Sequence, residues 1–102
     1  MKLYEEAIQE FDKAIVIQPS YYFAYHKKGN SLYNLQRYDE AIECYDKAIQ
    51  KNPSDSLAWL NKGTAFCQMN EYEKAISCFD TAIELNPMFF SAFHKKVLVI
   101  YF

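Results

Sequence analysis

One spacing governs this sequence. Tyr4, Tyr38 and Tyr72 stand thirty-four residues apart, and the same step separates Ala7, Ala41 and Ala75, then Asp12, Asp46 and Asp80, then Pro19, Pro53 and Pro87. A period kept jointly by apolar, polar and turn-forming residues means one supersecondary unit copied in tandem, each copy burying its apolar face against the next. Function in such an array lies on its extended surface.

Within each period the apolar residues recur at steps of three and four, as in Ala7, Ile8, Phe11, Ala14, Ile15 and again in Ala41, Ile42, Tyr45, Ala48, Ile49. That is helix spacing, not strand alternation. Glycines number two and prolines three, and every proline falls at one point of the period, just after a helical run. The pattern predicts an all-α chain with helices near 3–17, 21–34, 38–51, 55–68, 72–85 and 89–102. Ser20, and Ser54 or Asp55, are candidate N-caps. No linker or second domain interrupts the pattern.

The chain has 102 residues, room for one domain whose small core draws on every helix. A net charge of −2 gives no reason to expect nucleic acid or an anionic membrane as partner. The opening Met1-Lys2-Leu3-Tyr4-Glu5-Glu6 places acids where a signal peptide needs an apolar core, and no stretch is long and apolar enough to span a bilayer. Cys44, Cys67 and Cys78 form an odd set without a Cys-x-x-Cys pair, the pattern of reduced thiols. The expected location is the cytoplasm.

Trp59-x-x-Lys62-Gly63-x-x-Phe66, followed by Ala75-x-x-x-Phe79 and Pro87, closely resembles the tetratricopeptide repeat, whose consensus sets an aromatic, Leu-Gly, an aromatic, Ala, Phe and Pro at those spacings. The preceding copy reads Tyr25, Lys28-Gly29, Leu32, Ala41, Tyr45 and Pro53. The resemblance covers nearly the whole chain as one array. Residues 3–19 would be the second helix of an incomplete repeat, 20–53 and 54–87 two full repeats, and 88–102 the first helix of another. It implies a right-handed superhelical solenoid of antiparallel helix pairs.

The residues also explain themselves physically. Ala24, Gly29, Ala41 and Ala48 let helix axes approach, and Tyr25, Trp59, Tyr45 and Phe79 are expected to fill the space between paired helices. Lys28, Lys62 and Lys96 stand where the family usually has leucine. Such a lysine can lay its stem across the apolar groove with its ammonium in water; the alternative is a lysine ladder that binds ligand. Both ends are apolar: the first helix resembles a second helix without its partner, and the last reads Val97-Leu98-Val99-Ile100-Tyr101-Phe102. Two accounts stay open, a piece of a longer array or self-association through these ends.

No catalytic constellation, cofactor motif or metal-ligand set emerges: there is no Gly-rich phosphate loop, Gly-x-Ser-x-Gly or His-Glu-x-x-His. Cys44 and Cys78 read as small buried hydrophobes. His26 and His94, two periods apart in matching Ala-aromatic-His-Lys-Lys runs, are expected on one face, exposed to solvent and separated by an intervening helix.

The resemblance implies a concave groove lined by the first helix of each repeat and open to a peptide or protein partner. Helical spacing away from the core aromatics selects Phe23, His26, Lys27, Asn30, Tyr33 and Asn34, then Leu57, Leu60, Asn61, Thr64 and Gln68, then Ser91, His94, Lys95 and Leu98. No acid stands among them. The groove should be mildly basic and suit a segment with acidic and apolar residues, anchored at Phe23, Leu57 and Leu60. In family members that grip the acidic tails of heat-shock chaperones, a clamp uses Lys and Asn, then Asn, then Lys and Arg. Asn30, Asn61 and Lys95 match three of its positions, while His26 and Ser91 replace lysines and Lys95 stands for arginine.

Overall fold

A computed structural model describes residues 2–101 as six helices, α1 (Lys2–Ile17), α2 (Tyr22–Asn34), α3 (Tyr38–Lys51), α4 (Ser56–Gln68), α5 (Tyr72–Leu85) and α6 (Phe90–Tyr101). No strand occurs among the described residues, and the predicted end of the last helix at 102 lies outside them. Each helix packs on its neighbours in sequence, and α2 meets α4 as α4 meets α6. The result is an all-α solenoid of 41 × 27 × 18 Å, in which every second helix shares one side.

Two kinds of turn set this arrangement. After α2 the chain reverses through Gln36 at φ 62°, and one period later after α4 through Asn70 at φ 61°. In the first, the Arg37 N–H reaches the Leu32 carbonyl at 2.9 Å and the Gln36 N–H reaches Tyr33 at 2.9 Å. In the second, Glu71 and Asn70 repeat these bonds to Phe66 and Cys67 at 2.9 and 3.0 Å. This is the Schellman stop, which satisfies the last helix carbonyls and requires a left-handed residue. The other turns carry the prolines. Of the proposed caps, Asp55 acts, its carboxylate accepting the Ala58 N–H at 3.2 Å; α2 starts after Tyr21 with no side-chain cap, so Ser20 does not serve.

Within each repeat the apolar stripes meet. Ala41, Tyr45 and Ala48 of α3 and their period mates Ala75, Phe79 and Ala82 of α5 are all buried to 0–1% exposure. The glycines explain the fit: a Cβ at Gly29 would lie 2.7 Å from Tyr45 Cε1, and one at Gly63 would lie 2.5 Å from Phe79 Cε1. Tyr25 and Trp59, expected in the core, are only half-buried; Trp59 packs against the buried cluster of Leu60, Ala75, Phe79, Ala82 and Ala92 without joining it. The Trp59 indole N–H is nonetheless buried without a partner.

The periodic lysines are paired rather than left in water. Lys28, Lys62 and Lys96 each reach the periodic aspartate of the preceding helix, Asp12, Asp46 and Asp80, at 2.6 Å. Lys62 also holds its ammonium over the Trp59 ring, 5.0 Å from the centroid. Burial pulls the Lys28 ammonium down, but the Asp12 bond together with the charges of Cys44, Asp12 and Glu40 outweighs it and leaves the group above its ordinary value. At the two ends apolar surface stays open: α1 has no buried residue, and α6 buries only Ala92.

Candidate functional site

The side shared by α2, α4 and α6 holds two cavities one period apart. The first, of about 260 Å³, lies between α2 and α4 and is lined by Asn30, Tyr33, Asn34, Asn61 and Thr64 over the Tyr45 ring. The second, of about 420 Å³, lies between α4 and α6, with Thr64, Cys67, Gln68, Lys95, Leu98 and Val99, and Tyr72 of α5, around the Phe79 ring. Each floor is the aromatic of the second helix packed behind. Thr64 lines both and makes them neighbours.

Substitutions between successive periods give the two cavities opposite character. Asn30 is replaced by Thr64, Tyr33 by Cys67, Asn61 by Lys95 and the Tyr45 phenol by the Phe79 ring. In the first cavity the Tyr45 hydroxyl donates to Asn30 Oδ1 at 2.7 Å, and the Asn61 amide donates to the same oxygen at 3.2 Å. Carboxamides therefore dominate its walls. In the second, no hydroxyl rises from the floor, and Leu98, Val99 and Phe79 leave an apolar hollow with one ammonium beside it. Burial pushes the Cys67 thiol up from its ordinary value, and nearby Lys95 pulls it partly back.

Of the groove residues expected from spacing, Asn30, Asn34, Asn61, Thr64, Gln68, Lys95 and Leu98 come together around these cavities, with Tyr33. Two expectations are corrected. His26 is 3% exposed instead of solvated, held between Asp55 Oδ2 at 2.9 Å from Nδ1 and the Asn61 amide at 3.0 Å from Nε2. It therefore brings no exposed cation to the place where the clamp has lysine. Leu60, its period mate, is 5% exposed and belongs to the core with Phe79, because this helical position faces the next repeat. Phe23, Lys27, Leu57, Ser91 and His94 are exposed but line neither cavity; Lys27 lies over the Phe23 ring at 5.1 Å. Spacing on the first helices missed Tyr45, Phe79, Tyr72, Cys67 and Val99, three of which belong to second helices. The periodic aromatic at 45 and 79 was the available clue to the floors.

No group of three or more His, Cys, Asp or Glu able to hold a metal occurs among the described residues, and none of their helices is long and apolar enough to cross a membrane. Comparison with curated proteins gives no match. Among solved structures, MamA superposes with a TM-score of 0.91 at 26% identity over 95% of this chain, which spans 57% of the MamA chain. The first TPR of Spaghetti (RPAP3), bound to an HSP90 peptide, SRMEEVD, superposes at TM-score 0.91 with 21% identity, covering 96% of this chain and 78% of that one. The Arabidopsis OM64 TPR domain gives 0.92 at 21% identity, over 96% and 81% of the two chains. The tetratricopeptide-repeat family model matches residues 26–88, more than half of the sequence. With the period, the helix pairs and the paired aromatic floors already in place, this chain belongs to the tetratricopeptide-repeat family.

Proposed function

We propose that this chain is a protein-interaction module without chemistry of its own, working in the cytoplasm, and that it holds an extended segment of a partner across α2, α4 and α6. The observation that carries the reading is the pair of adjoining cavities with opposite linings. Carboxamides in one can hold peptide backbone, and the apolar hollow beside Lys95 suits a bulky side chain with an acidic neighbour. That a related fold, the first TPR of Spaghetti, is bound to an acidic peptide supports this reading. Energy comes mainly from the apolar hollow, because a half-exposed lysine contributes on the order of 1 kcal/mol or less and is screened by salt.

Fluorescence anisotropy with peptides carrying one leucine or phenylalanine flanked by glutamates tests the reading. Binding is expected near about 1 μM to 100 μM. Asn61→Ala and Lys95→Glu should each weaken it several-fold, and added salt should weaken it further. Ligands with no acidic bias, or affinity indifferent to both substitutions, would remove the groove from consideration.

The second reading is a structural element that associates through its ends. It is favoured by the open apolar surface there: Val16 and Ile17 of α1 are 80% and 84% exposed, and Ile100 and Tyr101 of α6 are 50% and 74% exposed.

A further inference from the structure

The carboxamide cavity is held by a chain of hydrogen bonds whose direction is decided beneath its surface. Asp55 caps α4 through Oδ1, accepting the Ala58 N–H at 3.2 Å, and its Oδ2 lies 2.9 Å from His26 Nδ1. His26 Nε2 lies 3.0 Å from Asn61 Nδ2, which lies 3.2 Å from Asn30 Oδ1, the oxygen that also accepts from the Tyr45 hydroxyl at 2.7 Å. A carboxylate only accepts, so Nδ1 carries a hydrogen. A neutral imidazole then has a lone pair at Nε2, which only a donor can satisfy, here the Asn61 side-chain N–H.

This fixes what the cavity shows. Both amide hydrogens of Asn61 are spent inward, on His26 and Asn30, leaving Asn61 Oδ1 for a ligand. Asn30 Oδ1 accepts twice, leaving Asn30 Nδ2. The cavity thus offers a donor from α2 and an acceptor from α4, the complement of the carbonyl and N–H of a peptide unit.

We propose that His26 is a positioning residue that sets the polarity of this cavity, and that its protonation reverses it. A proton on Nε2 demands an oxygen opposite. Asn61 then turns over, so that its Oδ1 accepts from Nε2–H and from Asn30 Nδ2. Asn30 turns with it and gives its second hydrogen to the Tyr45 oxygen, whose own hydrogen swings into the cavity. Each carboxamide and ring atom of the chain keeps a partner, since amide oxygen and nitrogen are nearly equal in size. At the cavity, donor and acceptor change places. A backbone segment matched to one state is mismatched to the other.

The charge at the ring is that of its own partner, Asp55, whose carboxylate accepts from Nδ1 in both states. From α4 the ring faces the Asp55 carboxylate; from α3 the Tyr45 ring at 5.9 Å, whose phenol burial pushes well up; from α2 itself the Phe23 ring at 6.3 Å. Between α1 and α2, Lys28 is paired with Asp12 at 2.6 Å. His94, exposed and with Phe89 one period from Asp55, has no such frame.

Nitrogen-15 NMR of the full chain without ligand tests the chain of bonds, and its outcome does not depend on the peptide-binding reading on which the functional meaning rests. With its imidazole neutral, His26 should show a protonated Nδ1 and a bare Nε2. As the pH is lowered, the side-chain amide signals of Asn30 and Asn61 should move together with the His26 ring-nitrogen signals, not with those of His94, and His26→Gln should abolish the movement. A hydrogen on Nε2 of the neutral ring, or amides that stay still while the His26 ring gains its proton, overturns the proposal. In a second arm, a fluorescein-labelled peptide with leucine flanked by glutamates should lose about tenfold in affinity on the same acidification, as expected for one or two mismatched hydrogen bonds, and lose little with His26→Gln. If the amides move but this peptide binds neither protein, the positioning role stands and the groove reading falls.

Discussion

Tyr45 and Phe79 show how far a single position can be read. Their thirty-four-residue spacing and their place one turn after Ala41 and Ala75 identified them as core, and both are fully buried. His26 could not be placed this way. Its partners Asp55 and Asn61 lie 29 and 35 residues ahead, in the next repeat, and a helical wheel of α2 carries no information about a neighbour outside the helix. The same limit affects Leu60, whose side points at the following repeat. Burial at such positions has a chemical cost that shows at high pH. It pushes the Cys78 thiol up to about 11 from 9.0, with the Cys44 thiol raised for the same reason. A buried acid whose native value is raised holds its proton longer folded than unfolded, so its stabilising effect is complete below the unfolded value and fades as pH rises through the native one. Chemical denaturation at a series of pH values should therefore show stability falling between about pH 9 and about pH 11, with Cys78→Ala flattening part of the decline. A level profile over that window would mean that these thiols are more open than their 4–9% exposure indicates.

At the scale of elements, predicted and observed helices agree to within one residue at every described end, because prolines and the apolar rhythm mark both boundaries. What the sequence concealed was how α2 and α4 stop. Neither turn contains the glycine that usually announces a left-handed residue; Gln36 and Asn70 adopt that geometry instead. Glutamine bears the steric penalty of a Cβ there, whereas asparagine tolerates it better. Gln36→Gly should thus stabilise the protein by about 0.5–1 kcal/mol, read as a rise in thermal midpoint, with a smaller gain for Asn70→Gly. Unchanged or lower midpoints for both would show that the glutamine side chain contributes contacts that offset its backbone strain.

For the whole molecule, the architecture was legible because the period reports contacts between copies, but the outer faces of α1 and α6 were not, since no copy among the described residues covers them. The third glycine position of the period holds Val97. At Gly29 and Gly63 even one added carbon would strike the aromatic of the following helix, at 2.7 and 2.5 Å. A second molecule stacked in the same register would bring its Phe11, the period mate of Tyr45, against Val97 on α6. This counts against the second reading, association through the ends, in the array's own register: such association should be weak, and Val97→Gly should strengthen it. Light scattering over a concentration series is expected to show largely monomer for the wild type, with dimers or longer species appearing in the variant. Strong wild-type association that Val97→Gly leaves unchanged would show that the ends meet by another geometry, and Leu98 and Ile100 replaced by polar residues would then identify the surface.

The lysine–aspartate pairs bear on the order in which this shape is assembled. Each joins an aspartate to a lysine sixteen residues later, Asp12 to Lys28, Asp46 to Lys62 and Asp80 to Lys96, so no bridge waits for a distant part of the chain. Closing so short a loop takes well under a microsecond for about ten residues and only somewhat longer here, whereas a ribosome adds on the order of ten residues each second. A helix emerging behind its predecessor can thus be latched before the next has been made. Growth of the solenoid and growth of the polypeptide can run in the same direction, one latch per repeat, with the last segment always the only one left to settle.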